Sequence, residues 1–147
     1  MRASTKRAEV TDALPSGCRL IPFAVKGDDR GRLVAIEGGS DLPFAIARVY
    51  YVYATTPGTV RGLHAHRALD QLAVAVAGSC TLLLDDGQQR AEVRLDDPAM
   101  ALSLPPMVWH EMKDFSADCV LMVLASAAYD EGDYIRDYAE FAALAKG

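Results

Sequence analysis

Apolar positions along this chain come in short runs, several of them alternating with polar residues, and each run is closed by residues that favour turns. Runs at 18–25, 33–37, 45–54, 72–77, 80–84, 91–95, 101–104, 108–112 and 119–126 predict β-strands, because strand side chains alternate faces with a period of two. Between them lie Asp28-Asp29-Arg30-Gly31, Thr56-Pro57-Gly58, Gly78-Ser79, Asp85-Asp86-Gly87, Asp96-Asp97-Pro98 and Ser116-Ala117-Asp118. Glycine accepts positive φ and aspartate hydrogen-bonds its own backbone, so these segments read as turns. Many short strands so spaced predict a sandwich or barrel. Only the end changes period: Ile135, Tyr138, Phe141 and Ala142 fall on one helical stripe behind Asp133 as candidate N-cap, which predicts one helix on an all-β body. Residues 1–16 show no periodicity and are expected to be disordered or extended, and there is no internal repeat.

Length and composition narrow this picture. With 147 residues, 51% of them hydrophobic, the chain is long enough for one well-filled core and short for two, so a single domain spanning 1–147 is expected. Fifteen Lys and Arg against twenty Asp and Glu leave a net charge of −5, which argues against a general nucleic-acid binder. An anionic ligand would have to meet a local arginine cluster. Cys18, Cys80 and Cys119 are odd in number and sit in apolar runs, the pattern of buried thiols in a reducing compartment. Residues 1–12 carry no apolar targeting core, and the longest apolar run, 119–129, is too short to span a bilayer. A cytoplasmic location with no membrane partner is the expectation.

The chemistry concentrates in Arg61-Gly62-Leu63-His64-Ala65-His66. Two histidines at i and i+2 on a strand throw both imidazoles onto one face, and His110, behind Pro105-Pro106, lies on a further extended segment. Three imidazoles can converge. A neutral imidazole titrating near neutrality suits abstraction of a proton α to a carbonyl, and the enolate then needs donors aimed at its oxygen. Arg48 and Tyr50 share one face of the 45–54 strand, Arg61 precedes the pair, and Gln71 can donate from its amide. Tyr51 and Tyr53 read as strand formers, and Arg67 and Arg94 as solvated surface charges.

Gly58, His64, His66, Gln71 and Gly78, followed by Pro105 and His110, resemble the two motifs of the cupins. In the metal-binding members three imidazoles and a carboxylate hold a divalent ion. Here Gln71 stands at the carboxylate position and Met107 at that of a glycine, and a neutral amide is a poor ligand for a hard cation. Three histidines alone still suit Zn²⁺, so a metal-dependent cupin remains an alternative.

A narrower resemblance covers about 29–138. Arg48-Val49-Tyr50-Tyr51, Arg61 to Arg67, Gly78-Ser79-Cys80, Leu84-Asp85-Asp86-Gly87, Val108 to Met112 and Tyr129 to Arg136 occur in the order found in the nucleotide-sugar 3,4-ketoisomerases. The resemblance implies a cupin jelly-roll barrel with a short C-terminal helix, a homodimer, and metal-free movement of the keto group of dTDP-4-keto-6-deoxyglucose from C4 to C3. The product would feed a PLP-dependent aminotransferase making 3-amino-3,6-dideoxyhexoses for surface polysaccharide or glycosylated natural products. It implies His64 as the base, His66 as proton relay, Tyr50 near C4, and Arg30, Arg48, Arg61, Gln71 and His110 as substrate-binding, with no cofactor. Arg30 with His110 resembles the branch that gives the galacto product. A nucleotide-sugar 3,5-epimerase and a non-catalytic sugar-binding cupin are the further alternatives.

Overall fold

The computed structural model describes residues 14–15, 17–39 and 42–146. Most of the expected 1–16 segment lies outside the described residues, although Leu14 packs against the core and Pro15 accepts a hydrogen bond from the Cys18 amide. Strands β1 (Leu20–Pro22), β4 (Arg48–Val52), β6 (Gln71–Ala77), β9 (Met100–Leu104) and β11 (Val120–Ala125) form one antiparallel sheet, ordered β1-β9-β6-β11-β4. A second antiparallel sheet runs β12-β5-β10-β7-β8, from β5 (Arg61–His66), β7 (Cys80–Asp85), β8 (Arg90–Leu95), β10 (Trp109–Lys113) and β12 (Tyr134–Ile135). Consecutive strands thus switch between sheets repeatedly, the arrangement of a jelly roll.

Alternation fills the space between the sheets. Ala73, Leu102, Leu121 and Val123 from the first sheet meet Leu82, Leu84, Val93, Leu95 and Met112 from the second in one core. The outer faces are covered differently. Leu72, Val74, Ala101 and Leu124 are roofed by Ile36, Leu42, Phe44 and Ile46, so β6 is apolar on both faces. Ala65, Trp109 and Ile135 are roofed by Phe141 of helix α1 (Tyr138–Lys146).

Three expectations are corrected, and two elements appear that the pattern did not predict. Residues 34–37 are not strand; that stretch passes into the segment that covers the first sheet. A hairpin of β2 (Lys26–Asp28) and β3 (Gly31–Leu33) stands in their stead, too short and polar to show in the pattern. Strand β12 was also unforeseen. Ile135 pairs with Ala65 as a strand residue rather than on a helix, so α1 starts at Tyr138 and is capped by Asp137, whose carboxylate accepts from the Ala139 amide at 3.0 Å. Asp133 does not cap that helix and is engaged elsewhere.

Candidate active site

The site lies where the two sheets part, between β4 at the edge of one and β5 near the edge of the other. On β4, Val49 and Tyr51 point outward and are exposed, while Arg48, Tyr50 and Val52 line a cleft of about 460 Å³. That volume falls within the roughly 300–1,000 Å³ of small-molecule sites. Facing them across the cleft are Arg61, Gly62 and His64 of β5, Met112, Tyr134 and Arg136.

A bulge in β5 aims the first histidine. Pairing with β10 slips between His64 and Gly62, leaving Leu63 unpaired, and both Gly62 (φ +81°) and Leu63 (φ +59°) are left-handed. A side chain at Gly62 would have its Cβ 2.9 Å from the His110 carbonyl oxygen, so only glycine fits. The turned Gly62 carbonyl accepts from Nδ1 of His64 at 2.9 Å. This fixes the proton on Nδ1 and leaves Nε2 as a bare acceptor.

The other two imidazoles are held the same way. His66 Nδ1 donates to Asp133 Oδ2 at 3.1 Å, and His110 Nδ1 lies 3.4 Å from the Val108 carbonyl oxygen. Nε2 of both is buried without a partner. Ring centroids are 4.9 Å apart for His64 and His66 and 4.6 Å for His64 and His110, and one nitrogen from each ring converges to within 4.8 Å of the others. Burial holds all three below the usual imidazole range, His64 down to about 4 and His110 to about 3, while Asp133 partly offsets the effect at His66. The imidazoles are therefore neutral bases near neutrality. Tyr50 receives the Gln71 amide hydrogen at 3.1 Å, and burial raises its phenol above the ordinary range.

As a metal centre the cluster offers three neutral imidazoles, with no carboxylate among them in the described residues. The remaining cupin position is Gln71, whose nitrogen is committed to Tyr50. Such a set suits a soft or borderline cation poorly charged by its surroundings and gives a hard one little to hold.

Of the expected site residues, His64, Tyr50, Arg48 and Arg61 line the cleft, and Gln71 lies behind Tyr50. His110 is buried behind His64 and is not part of the cleft wall. Arg30 is placed elsewhere: it sits in the β2–β3 turn, paired with Asp28 at 2.7 Å and fully exposed. Three residues were missed. Tyr134 lays its ring 4.8 Å from His64 and 4.4 Å from His66, Arg136 stacks 4.2 Å over Tyr134, and Asp133 orients His66. Arg136 is also forked onto Glu131 at 2.8 and 2.9 Å, and Tyr129 donates to the same carboxylate. Asp133 ends an acidic turn whose composition reads as helix capping, and Tyr134 and Arg136 follow it.

Two antiparallel sheets, an apolar core between them and an imidazole-lined cleft at one edge define an enzyme of the cupin type. Comparison with known proteins is narrower. The family model FdtA, described as WxcM-like, C-terminal, matches residues 16–146. A TDP-4-oxo-6-deoxy-alpha-D-glucose-3,4-oxoisomerase of Aneurinibacillus thermoaerophilus is 53% identical over 84% of this chain and 88% of its own. Among solved structures, the sugar 3,4-ketoisomerase QdtA of Thermoanaerobacterium thermosaccharolyticum, in complex with TDP, matches with TM-score 0.87 and 41% identity over 89% of this chain and 96% of its own. A 3,4-ketoisomerase of Helicobacter canadensis matches with TM-score 0.86 and 40% identity over 89% and 98%. The chain belongs to the nucleotide-sugar 3,4-ketoisomerase family.

Proposed function

We propose that the protein moves the keto group of dTDP-4-keto-6-deoxyglucose from C4 to C3 by metal-free acid–base chemistry through an enediol. The observation that carries this reading is His64: its Nδ1 is tied to Gly62, its other nitrogen is bare, and the ring lines the cleft opposite Tyr50. In this reading His64 removes the C3 proton, and its neutral state at working pH follows from burial. Tyr50, polarised by Gln71, hydrogen-bonds the C4 oxygen and stabilises charge developing there. Arg48, Arg61 and Arg136 line the same cleft and supply the planar donors that suit a diphosphate. The substrate itself is taken from what the relatives act on or bind, TDP-4-oxo-6-deoxyglucose and TDP.

The galacto product is proposed on the sequence resemblance of Arg30 and His110, since Arg30 stands outside the cleft and has no part in the steps above. We also infer one domain, a cytoplasmic location and a homodimer; Val49 and Tyr51, exposed on the edge strand β4, and Tyr53, exposed just beyond it, are consistent with a covered face. Among the described residues no helix is long and apolar enough to cross a membrane.

Incubating the protein with dTDP-4-keto-6-deoxyglucose and following the sugar by NMR tests the reading. A 3-keto product with a small H4–H5 coupling is expected. A large coupling would replace galacto by gluco, whereas a retained 4-ketone with exchange at C5 would replace isomerisation by 3,5-epimerisation.

A further inference from the structure

A short, closed piece of backbone brings Tyr134 to the histidines. Glu131–Asp133 form one 3₁₀ turn, capped at its entry by Asp130, which accepts from the Gly132 amide at 3.0 Å, and closed at its exit by the Tyr134 amide on the Glu131 carbonyl. The chain then pairs with β5, Tyr134 opposite His66 and Ile135 opposite Ala65. Ile135 is buried under α1, so the side chains before and after it, Tyr134 and Arg136, fall on the other face and line the cleft.

There they stack in layers. The Tyr134 ring lies 4.8 Å from His64 and 4.4 Å from His66 between centroids, and the Arg136 guanidinium lies 4.2 Å over the same ring. Glu131 holds Arg136 through both carboxylate oxygens, at 2.8 and 2.9 Å, and accepts from the Tyr129 hydroxyl as well. Arg136 and Glu131 each expose more than half of the side chain, whereas Tyr134 is half-buried and His66 is buried. From solvent inward the order is ion pair, phenol ring, imidazole.

We propose that Tyr134 is a positioning residue whose ring, pressed onto the imidazoles by the Arg136–Glu131 pair, keeps water off His64 and so keeps that base uncharged. The inference deepens the isomerase reading, in which His64 removes the C3 proton. Taking an imidazolium out of water is costly, so a dry ring stays neutral. His64 is held down to about 4, with burial as the largest cause. On its own strand it faces His66 and Arg61, from β10 His110, and from β4 Arg48 and Tyr50. Glu131 and Arg136 act on it in opposite directions because their charges are opposite, and Asp133 is bonded to His66 instead. Dehydration is left as the main effect, and the Tyr134 ring covers both members of the histidine pair.

The test follows the His64 ring by NMR in the protein without substrate, its signals assigned by their loss in His64→Asn, and records kcat/KM against pH on the same samples. In Tyr134→Phe, which keeps the ring, the His64 midpoint should stay within about 0.3 pH units of its wild-type value. In Tyr134→Ala it should rise by at least ~1 pH unit toward 6.5, and the acid limb of kcat/KM should rise with it. Glu131→Gln, which keeps the ring but frees Arg136, should move both part of the way, and it stands in where Tyr134→Ala does not fold. A merely structural defect would lower kcat/KM at every pH and leave the limb where it was. An unmoved His64 midpoint in Tyr134→Ala, or in Glu131→Gln where that variant stands in, overturns the inference, as does an equal displacement in Tyr134→Phe and Tyr134→Ala. A midpoint that rises while the acid limb stays put upholds the covering ring and overturns His64 as the base.

Discussion

His64 carries the heaviest demand of any single residue. Replacement by Asn keeps a polar group of similar reach and removes the base, so kcat should fall by roughly 10²–10⁴-fold or more with the melting temperature little changed. Calorimetry on the same sample checks the second half. Its pH dependence follows from burial. His64 is displaced from 6.5 to about 4, so the folded protein resists protonation where the unfolded chain accepts it. Stability is therefore complete above about pH 6.5 and is lost as pH falls toward 4. The slope of melting temperature against pH should flatten in His64→Asn, and the acid limb of kcat/KM should lie near pH 4 rather than 6.5. Gly62→Ala tests the bulge: a left-handed φ and a Cβ 2.9 Å from a carbonyl oxygen should cost about 1–3 kcal/mol and lower kcat, because the carbonyl that fixes His64 moves. At this scale the sequence displayed the bases but not their partners. A period-two histidine pair is visible in any strand, whereas Asp133 and Tyr134 reach it through tertiary pairing that no local pattern encodes.

Elements were legible in proportion to their apolar contrast. Strands β6 to β11 alternate or run apolar between clear turns and fall close to expectation. The β2–β3 hairpin and β12 are two or three residues long and polar or mixed, so periodicity had too little length to register them. The C-terminal helix was seen but begun too early, since Ile135 and Phe141 bury on the same layer although one belongs to a strand and the other to a helix. That layer makes a prediction of its own. Phe141 is fully buried against Trp109 and Ile135, so Phe141→Ala should destabilise the protein by about 3–5 kcal/mol, read in denaturant titration. The loss should carry activity with it, because β12 is the strand that leads Tyr134 to the imidazoles. Asp137→Ala should cost only about 1 kcal/mol, the value of one cap, and leave kcat unchanged.

The molecule as a whole combines an acidic surface with one arginine-lined opening. A net charge of −5 repels polyanions in general, and Arg48, Arg61 and Arg136 reverse that locally around a single cleft. Turnover should accordingly slow with added salt through KM rather than kcat. For a metal-free reaction, protein dialysed against a chelator should keep its full kcat, measured beside elemental analysis of the same sample; recovery only on adding zinc, iron or manganese would overturn that part of the reading. Light scattering is expected to give the mass of two chains.

Asp133 follows His66 by 67 residues, yet it binds the His66 ring and its carbonyl binds the Arg67 amide. During synthesis the first sheet therefore has all its strands, and the second all but β12, before His66 acquires its orienting carboxylate. A polypeptide cut short ahead of Asp133 would keep most of the barrel and a His64 still aimed by the Gly62 carbonyl, while the neighbouring imidazole would lack the carboxylate that orients it.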